Sequence, residues 1–138
     1  MNQQELMAIL PHRPPMLLVD EAHVEADTAV GRYTVRGDEF FLQGHFPGQP
    51  IVPGVILCEM MGQTSCVLMA DQIAGKTTLF AGLDKVRFRR TVVPGDTVVF
   101  TTRHLAAKGR FHFVEGTGRV GDAVCVTAEL SFALVDRA

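Results

Sequence analysis

Apolar positions fall into two kinds of run along this chain. Positions 55, 56, 57, 58, 60 and 61 are all apolar. That leaves no face for water and predicts a buried helix over residues 55–73. Gly54 stands just before it, and Gly75 is a stop signal just after. The other apolar runs are shorter and richer in β-branched and aromatic residues. Residues 16–20, bounded by prolines and charge, predict a buried strand. Residues 28–36 alternate, carry Val30, Tyr33 and Val35, and predict a second strand paired to the first through a turn at 25–27. Further strands are predicted over 78–88, 97–104, 111–120 and 124–135. The turns between them are Val93-Pro94-Gly95-Asp96, Ala107-Lys108-Gly109 and Gly121-Asp122. A short helix opens the chain, with Asn2 as N-cap, Glu5 completing a capping box, Leu6, Ile9 and Leu10 as its apolar stripe, and Pro11 as its end.

The resulting order is a short helix, two strands, a long loop, a buried helix and four strands. Successive strands joined by short turns give an antiparallel sheet, and the buried helix has to be wrapped by it. The expectation is an α+β fold with a central helix, in one domain spanning residues 1–138.

Composition narrows the function. The chain is 47% hydrophobic and 20% charged with a net charge of −2, so no overall basic field points to nucleic acid or to a membrane surface. Cys58, Cys66 and Cys125 are odd in number and lack CxxC spacing. They read as unpaired thiols in a reducing compartment, not as a disulfide framework or a zinc site. The start Met1-Asn2-Gln3-Gln4-Glu5 lacks the basic residues of a signal peptide. The run 55–70 is too short, and too interrupted by Glu59, Gln63, Thr64 and Ser65, to cross a bilayer. A cytoplasmic location is expected.

The candidate chemistry lies between residues 44 and 63. The stretch Gly44-His45-Phe46-Pro47-Gly48-Gln49-Pro50-Ile51-Val52-Pro53-Gly54 is stiffened by its prolines and holds one titratable group, His45. The apolar run after it holds one charged residue, Glu59. A loop histidine is ordinarily solvated, and a glutamate near a helix start ordinarily faces water. Here the stiff loop and the apolar neighbours favour an acid–base pair. Gln63 lies one turn beyond Glu59 on the same face and can orient its carboxyl. The first amides of the helix, Gly54 foremost, are unpaired donors for a developing oxyanion.

Four segments carry a family likeness: Leu10-Pro11-His12-Arg13-Pro14-Pro15-Met16-Leu17-Leu18-Val19-Asp20; the stretch from His45 through Glu59 to Gln63; Phe80-Ala81-Gly82-Leu83-Asp84-Lys85-Val86-Arg87-Phe88-Arg89; and Val93-Pro94-Gly95-Asp96. In these the chain resembles the hot-dog-fold superfamily, and within it the 3-hydroxyacyl-[acyl-carrier-protein] dehydratases of the FabZ type. The resemblance implies a long helix inside a curled antiparallel sheet. It implies removal of water from (3R)-hydroxyacyl thioesters on acyl carrier protein to give trans-2-enoyl thioesters in fatty acid biosynthesis, with no metal or organic cofactor. It makes His45 the base, Glu59 the acid and Gly54 the oxyanion donor, with His45 and Glu59 of one site drawn from different subunits of a homodimer. A trimer of dimers is common in such proteins.

The family's acyl tunnel lies at the dimer interface, with Phe88, Leu83, Met60 and Met61 as candidates for its lining. Phe88 falls near a gating aromatic of some relatives. Lys85, Arg87, Arg89 and Arg90 form a basic stretch suited to an acidic carrier protein; the first three alternate with Val86 and Phe88 and are expected on one face. Met16 stands where many members carry an aromatic residue. His12 is read as structural, and His23, His104 and His112 as surface or strand positions. Rival readings are a dehydratase–isomerase, which generally carries aspartate at the place of Glu59, a hot-dog thioesterase, which would not need the His45 motif, and a non-catalytic acyl-thioester binder, against which the intact His45/Glu59 pair argues.

Overall fold

The computed structural model describes residues 1–137. Helix α1 (Gln3–Ile9) opens with the expected capping box: the Glu5 amide donates to Asn2 Oδ1 at 3.0 Å and the Asn2 amide donates to Glu5 Oε1 at 3.2 Å. Six strands follow, β1 (Glu21–Glu25), β2 (Thr28–Thr34), β3 (Lys76–Phe88), β4 (Thr97–Lys108), β5 (Phe111–Val120) and β6 (Ala123–Asp136), with helix α2 (Gly54–Ser65) in the long connection after β2. They form one antiparallel sheet in the order β1-β2-β4-β5-β6-β3. Helix α2 packs on the face formed by β2, β4, β5 and β6. It lies close to the sheet: a Cβ on Gly116 of β5 would stand 2.7 Å from Met61 Sδ. The α+β architecture with a helix held against a curled antiparallel sheet is the hot-dog fold.

Residues 16–20 are a correction. Leu17, Leu18 and Val19 are buried as expected, but no strand forms there; β1 starts at Glu21, which pairs with Arg32. The backbone of this segment bonds side chains instead of a ladder. The Leu18 amide donates to Gln63 Oε1 at 2.8 Å, Gln63 Nε2 donates to the Met16 carbonyl at 2.8 Å, and Gln3 Nε2 donates to the Val19 carbonyl at 3.1 Å. An apolar run reports burial, and only the pairing partner makes it a strand.

The helix predicted over 55–73 is also interrupted. It stops at Ser65 and continues as a 3-10 turn, Cys66–Met69, and a last helical turn α3 (Ala70–Ile73). Thr64 Oγ1 donates to the Met60 carbonyl at 2.9 Å and Ser65 Oγ to the Gly62 carbonyl at 2.7 Å. Hydroxyls that compete for helix carbonyls loosen the α ladder at this point.

Strand β3 is the free edge at the β6 end of the sheet. It is 13 residues long and exposes Leu79, Phe80, Leu83 and Phe88 at 51, 43, 44 and 53%. Its register slips between Asp84 and Arg87, with Lys85 at φ 51°.

Candidate active site

Residues 43–53 double back on themselves. The Ile51 amide bonds the His45 carbonyl at 2.9 Å, Phe46 and Gln49 exchange backbone bonds at 3.0 and 2.9 Å, and the Val52 amide is tied to the Val92 carbonyl at 2.9 Å. Inside this frame His45 Nδ1 lies 2.9 Å from the Ile51 carbonyl, and the ring stacks on Phe46 at 4.1 Å between centroids. A carbonyl can only accept, so Nδ1 carries the hydrogen and Nε2 keeps a free lone pair. That is the tautomer a base requires.

The same loop delivers the start of α2. Pro53 is the N-cap and offers no side-chain cap. The Ile56 and Leu57 amides bond the Pro53 carbonyl at 2.9 and 3.3 Å, which leaves the Gly54 and Val55 amides as the uncapped donors. His45, Gly54, Val55, Phe88, Arg89 and Arg90 line one cleft of about 680 Å³. The Phe88 ring sits over Gly54, so close that no larger residue fits without moving it.

Glu59 follows on α2, about 140° around the axis from Gly54 at roughly 100° per residue. It therefore points into a different cavity, of about 240 Å³, lined also by His12, Gln63, Cys66, Phe80 and Phe132. Gln63 is fully buried and works in both directions. It donates to Glu59 Oε2 at 2.7 Å while holding the backbone at Met16 and Leu18. The one-turn spacing of Glu59 and Gln63 on the helix is thus matched by a direct contact. Burial, and then the charge of Glu59, push the Cys66 thiol up to about 12, so this wall of the cavity is inert toward electrophiles.

Two features of the Glu59 cavity were not legible in the sequence. His12 Nε2 lies 3.3 Å from Glu59 Oε2, in a segment read only as a structural tie. The signal was present as a polar His12-Arg13 pair enclosed by prolines. Phe80 and Phe132, neither of them among the residues named for the acyl tunnel, wall the Glu59 cavity. Met60 and Met61 are wholly buried in the core because their helix face packs on the sheet, and Leu83 lies exposed on the edge strand. The basic stretch is also divided. The β-bulge breaks the alternation of β3, so Lys85 turns to Glu129 at 3.5 Å, Arg87 Nη1 folds back to the Val86 carbonyl, and only Arg89 and Arg90 reach the His45 cleft.

The family profile described as ApeI dehydratase matches residues 21–126. Among curated relatives, the 3-hydroxyacyl-[acyl-carrier-protein] dehydratase FabZ of Moorella thermoacetica is 43% identical over 141 residues, covering 99% of each chain. The FabZ of Clostridium perfringens is 39% identical over 137 residues, 97% of this chain and 99% of that one. The chain belongs to the FabZ dehydratase family. Among solved structures, the dehydratase heterocomplex ApeI:P of Xenorhabdus doucetiae superposes with a TM-score of 0.82 at 23% identity, over 96% of this chain and 91% of that one. A point mutant of the fluoroacetyl-CoA-specific thioesterase FlK gives 0.68 at 14% identity, over 84 and 90%. At those identities the two structures speak for the fold alone. The family assignment comes from the sequence relatives. No helix among the described residues is long and apolar enough to cross a membrane.

Proposed function

We propose that this protein is a hydro-lyase of fatty acid biosynthesis that removes water from (3R)-hydroxyacyl thioesters carried on acyl carrier protein, giving trans-2-enoyl thioesters. The observation that carries the reading is His45, pinned through Nδ1 with Nε2 bare, facing the same cleft as the uncapped amides of α2. The thioester oxygen lies against the Gly54 and Val55 amides, which hold the negative charge that develops as the α-proton leaves. His45 Nε2 takes that proton. The electron pair of the C–H bond becomes the C2–C3 π bond, and the C3–O bond breaks as Glu59 delivers a proton to the departing hydroxyl, directly or through a water. Water leaves, and a proton returned from His45 to Glu59 through solvent resets the site. No step calls for a metal or an organic cofactor.

The cleft of His45 and the cavity of Glu59 open on different sides of α2. A complete site in this reading takes His45 and Gly54 from one copy and Glu59 from another. Strand β3 supports such pairing, because a long edge strand with four exposed apolar side chains is stable against aggregation only when covered. A homodimer joined along β3 covers it. Phe88, at the interface edge of the cleft, stands at the entrance to the acyl tunnel. Carrier-protein docking then rests on Arg89 and Arg90 at the rim of the cleft, with Arg87 beside them and Lys85 engaged by Glu129. Buried thiols at Cys58, Cys66 and Cys125 suit a cytoplasmic setting.

The test is hydration of a crotonoyl thioester, followed by loss of enoyl absorbance, and dehydration of 3-hydroxyacyl carrier protein with product analysis. The expected product is the trans-2-enoyl thioester; free thiol or a cis-3 product overturns the assignment.

A further inference from the structure

We infer that His12 is a positioning residue for Glu59, fixing which carboxylate oxygen meets the substrate. The inference rests on the acid role proposed for Glu59. His12 Nε2 approaches Glu59 Oε2 at 3.3 Å, and Gln63 Nε2 donates to the same oxygen at 2.7 Å. Both side chains thus crowd Oε2, one as a donor and one as a close polar neighbour, and leave Oε1 as the oxygen that carries a proton to the 3-hydroxyl. The other ring nitrogen of His12, Nδ1, is buried with no hydrogen-bond partner. A hydrogen placed on Nδ1 would be stranded there, so the favoured tautomer carries its hydrogen on Nε2, the nitrogen beside the Glu59 carboxylate.

The backbone around His12 is built to hold that ring. Arg13 Nη1 donates to the carbonyls of Leu10 at 2.9 Å and His12 at 2.7 Å, closing the turn after α1, while Pro11 and Pro14 restrict the chain on either side. A few residues on, Gln63 ties Met16 and Leu18 to the same carboxylate. The N-terminal segment therefore grips Glu59 from two directions. A glutamate side chain left to itself samples several rotamers, and holding it in one is a cost already met in this arrangement before substrate arrives.

The experiment measures kcat and KM for the 3-hydroxyacyl carrier-protein substrate in wild type, His12→Ala, His12→Gln, Glu59→Gln and the His12→Ala/Glu59→Gln double variant, with Tm alongside. His12→Ala is expected to lower kcat by about 10- to 100-fold with KM little changed. His12→Gln, which restores an amide donor near Nε2, is expected to recover most of that loss. Adding His12→Ala to Glu59→Gln is expected to lower kcat no further, because the residue acts through the carboxylate. Wild-type kcat in His12→Ala, equal losses in the Ala and Gln variants, or full additivity in the double variant each overturn the inference. Full activity in Glu59→Gln overturns the acid assignment beneath it, whereas an inactive Glu59→Gln beside a fully active His12→Ala removes the His12 role alone.

Discussion

The Phe88 ring occupies the place of a side chain on Gly54: a Cβ built there would lie 2.7 Å from both Cε1 and Cζ. Gly54→Ala must therefore push the ring aside. Because Phe88 is half-exposed, it has room to swing and the fold tolerates the change, with a gain in helix propensity as partial offset. Tm is expected to move little while kcat/KM falls by about tenfold or more, as the displaced ring and the new methyl crowd the oxyanion donor. Adding Phe88→Ala removes the collision and is expected to return part of the activity. Unchanged kcat/KM in Gly54→Ala would place the thioester oxygen elsewhere.

His45→Ala and Glu59→Gln are each expected to lose about 10²- to 10⁴-fold in rate while keeping wild-type Tm. The informative measurement mixes them. Two inactive variants unfolded and refolded together at equal amounts form mixed dimers in half of the population, each with one intact site. Activity of about a quarter of wild type is then expected. If both groups served one site within a single chain, the mixture would stay inactive.

Gln63 is buried and makes three hydrogen bonds, to the Leu18 amide, the Met16 carbonyl and the Glu59 carboxylate. Gln63→Leu keeps most of the volume but strands a buried amide and carbonyl. The expected cost is about 2–3 kcal/mol, seen as a Tm lower by roughly 6–12 °C. The rate should fall as well, since the same substitution frees Glu59. A variant with lowered Tm and unaltered kcat at permissive temperature would separate the two roles.

His112 contributes an acid-sensitive stability. Its Nδ1 lies 3.1 Å from His104 Nε2, its ring stacks near Phe132, and burial first, then His104, hold it below its ordinary value. The unfolded chain thus binds this proton more readily than the folded one. Stability is unaffected well above the ordinary histidine range and falls as pH drops through about 6.5. Tm measured from neutral to mildly acid pH should decline through that window, and His112→Gln should flatten the decline. An equal slope in both proteins would assign it to other groups.

The capping box at Asn2, the alternation in β2 and the turns of the β4–β6 meander are local, and a sequence displays local interactions directly. The His45 loop is equally self-contained, because the carbonyl that orients the ring comes from Ile51 in the same stretch. What escaped reading depends on partners far along the chain. Residues 16–20 look like a strand until Gln63, more than forty residues away, claims their backbone. His12 looks structural until the fold sets it beside Glu59. The basic residues of β3 look like one face because a bulge at Lys85 leaves no mark in an alternating pattern.

The uncovered β3 edge also bears on how this activity responds to protein concentration. Under the proposed sharing of His45 and Glu59 between copies, a solitary copy would carry two unmatched halves, and specific activity is expected to collapse on dilution below the dimer dissociation constant and return on concentrating. Substitutions that only weaken β3 contacts, far from any reacting atom, would then register as losses of turnover.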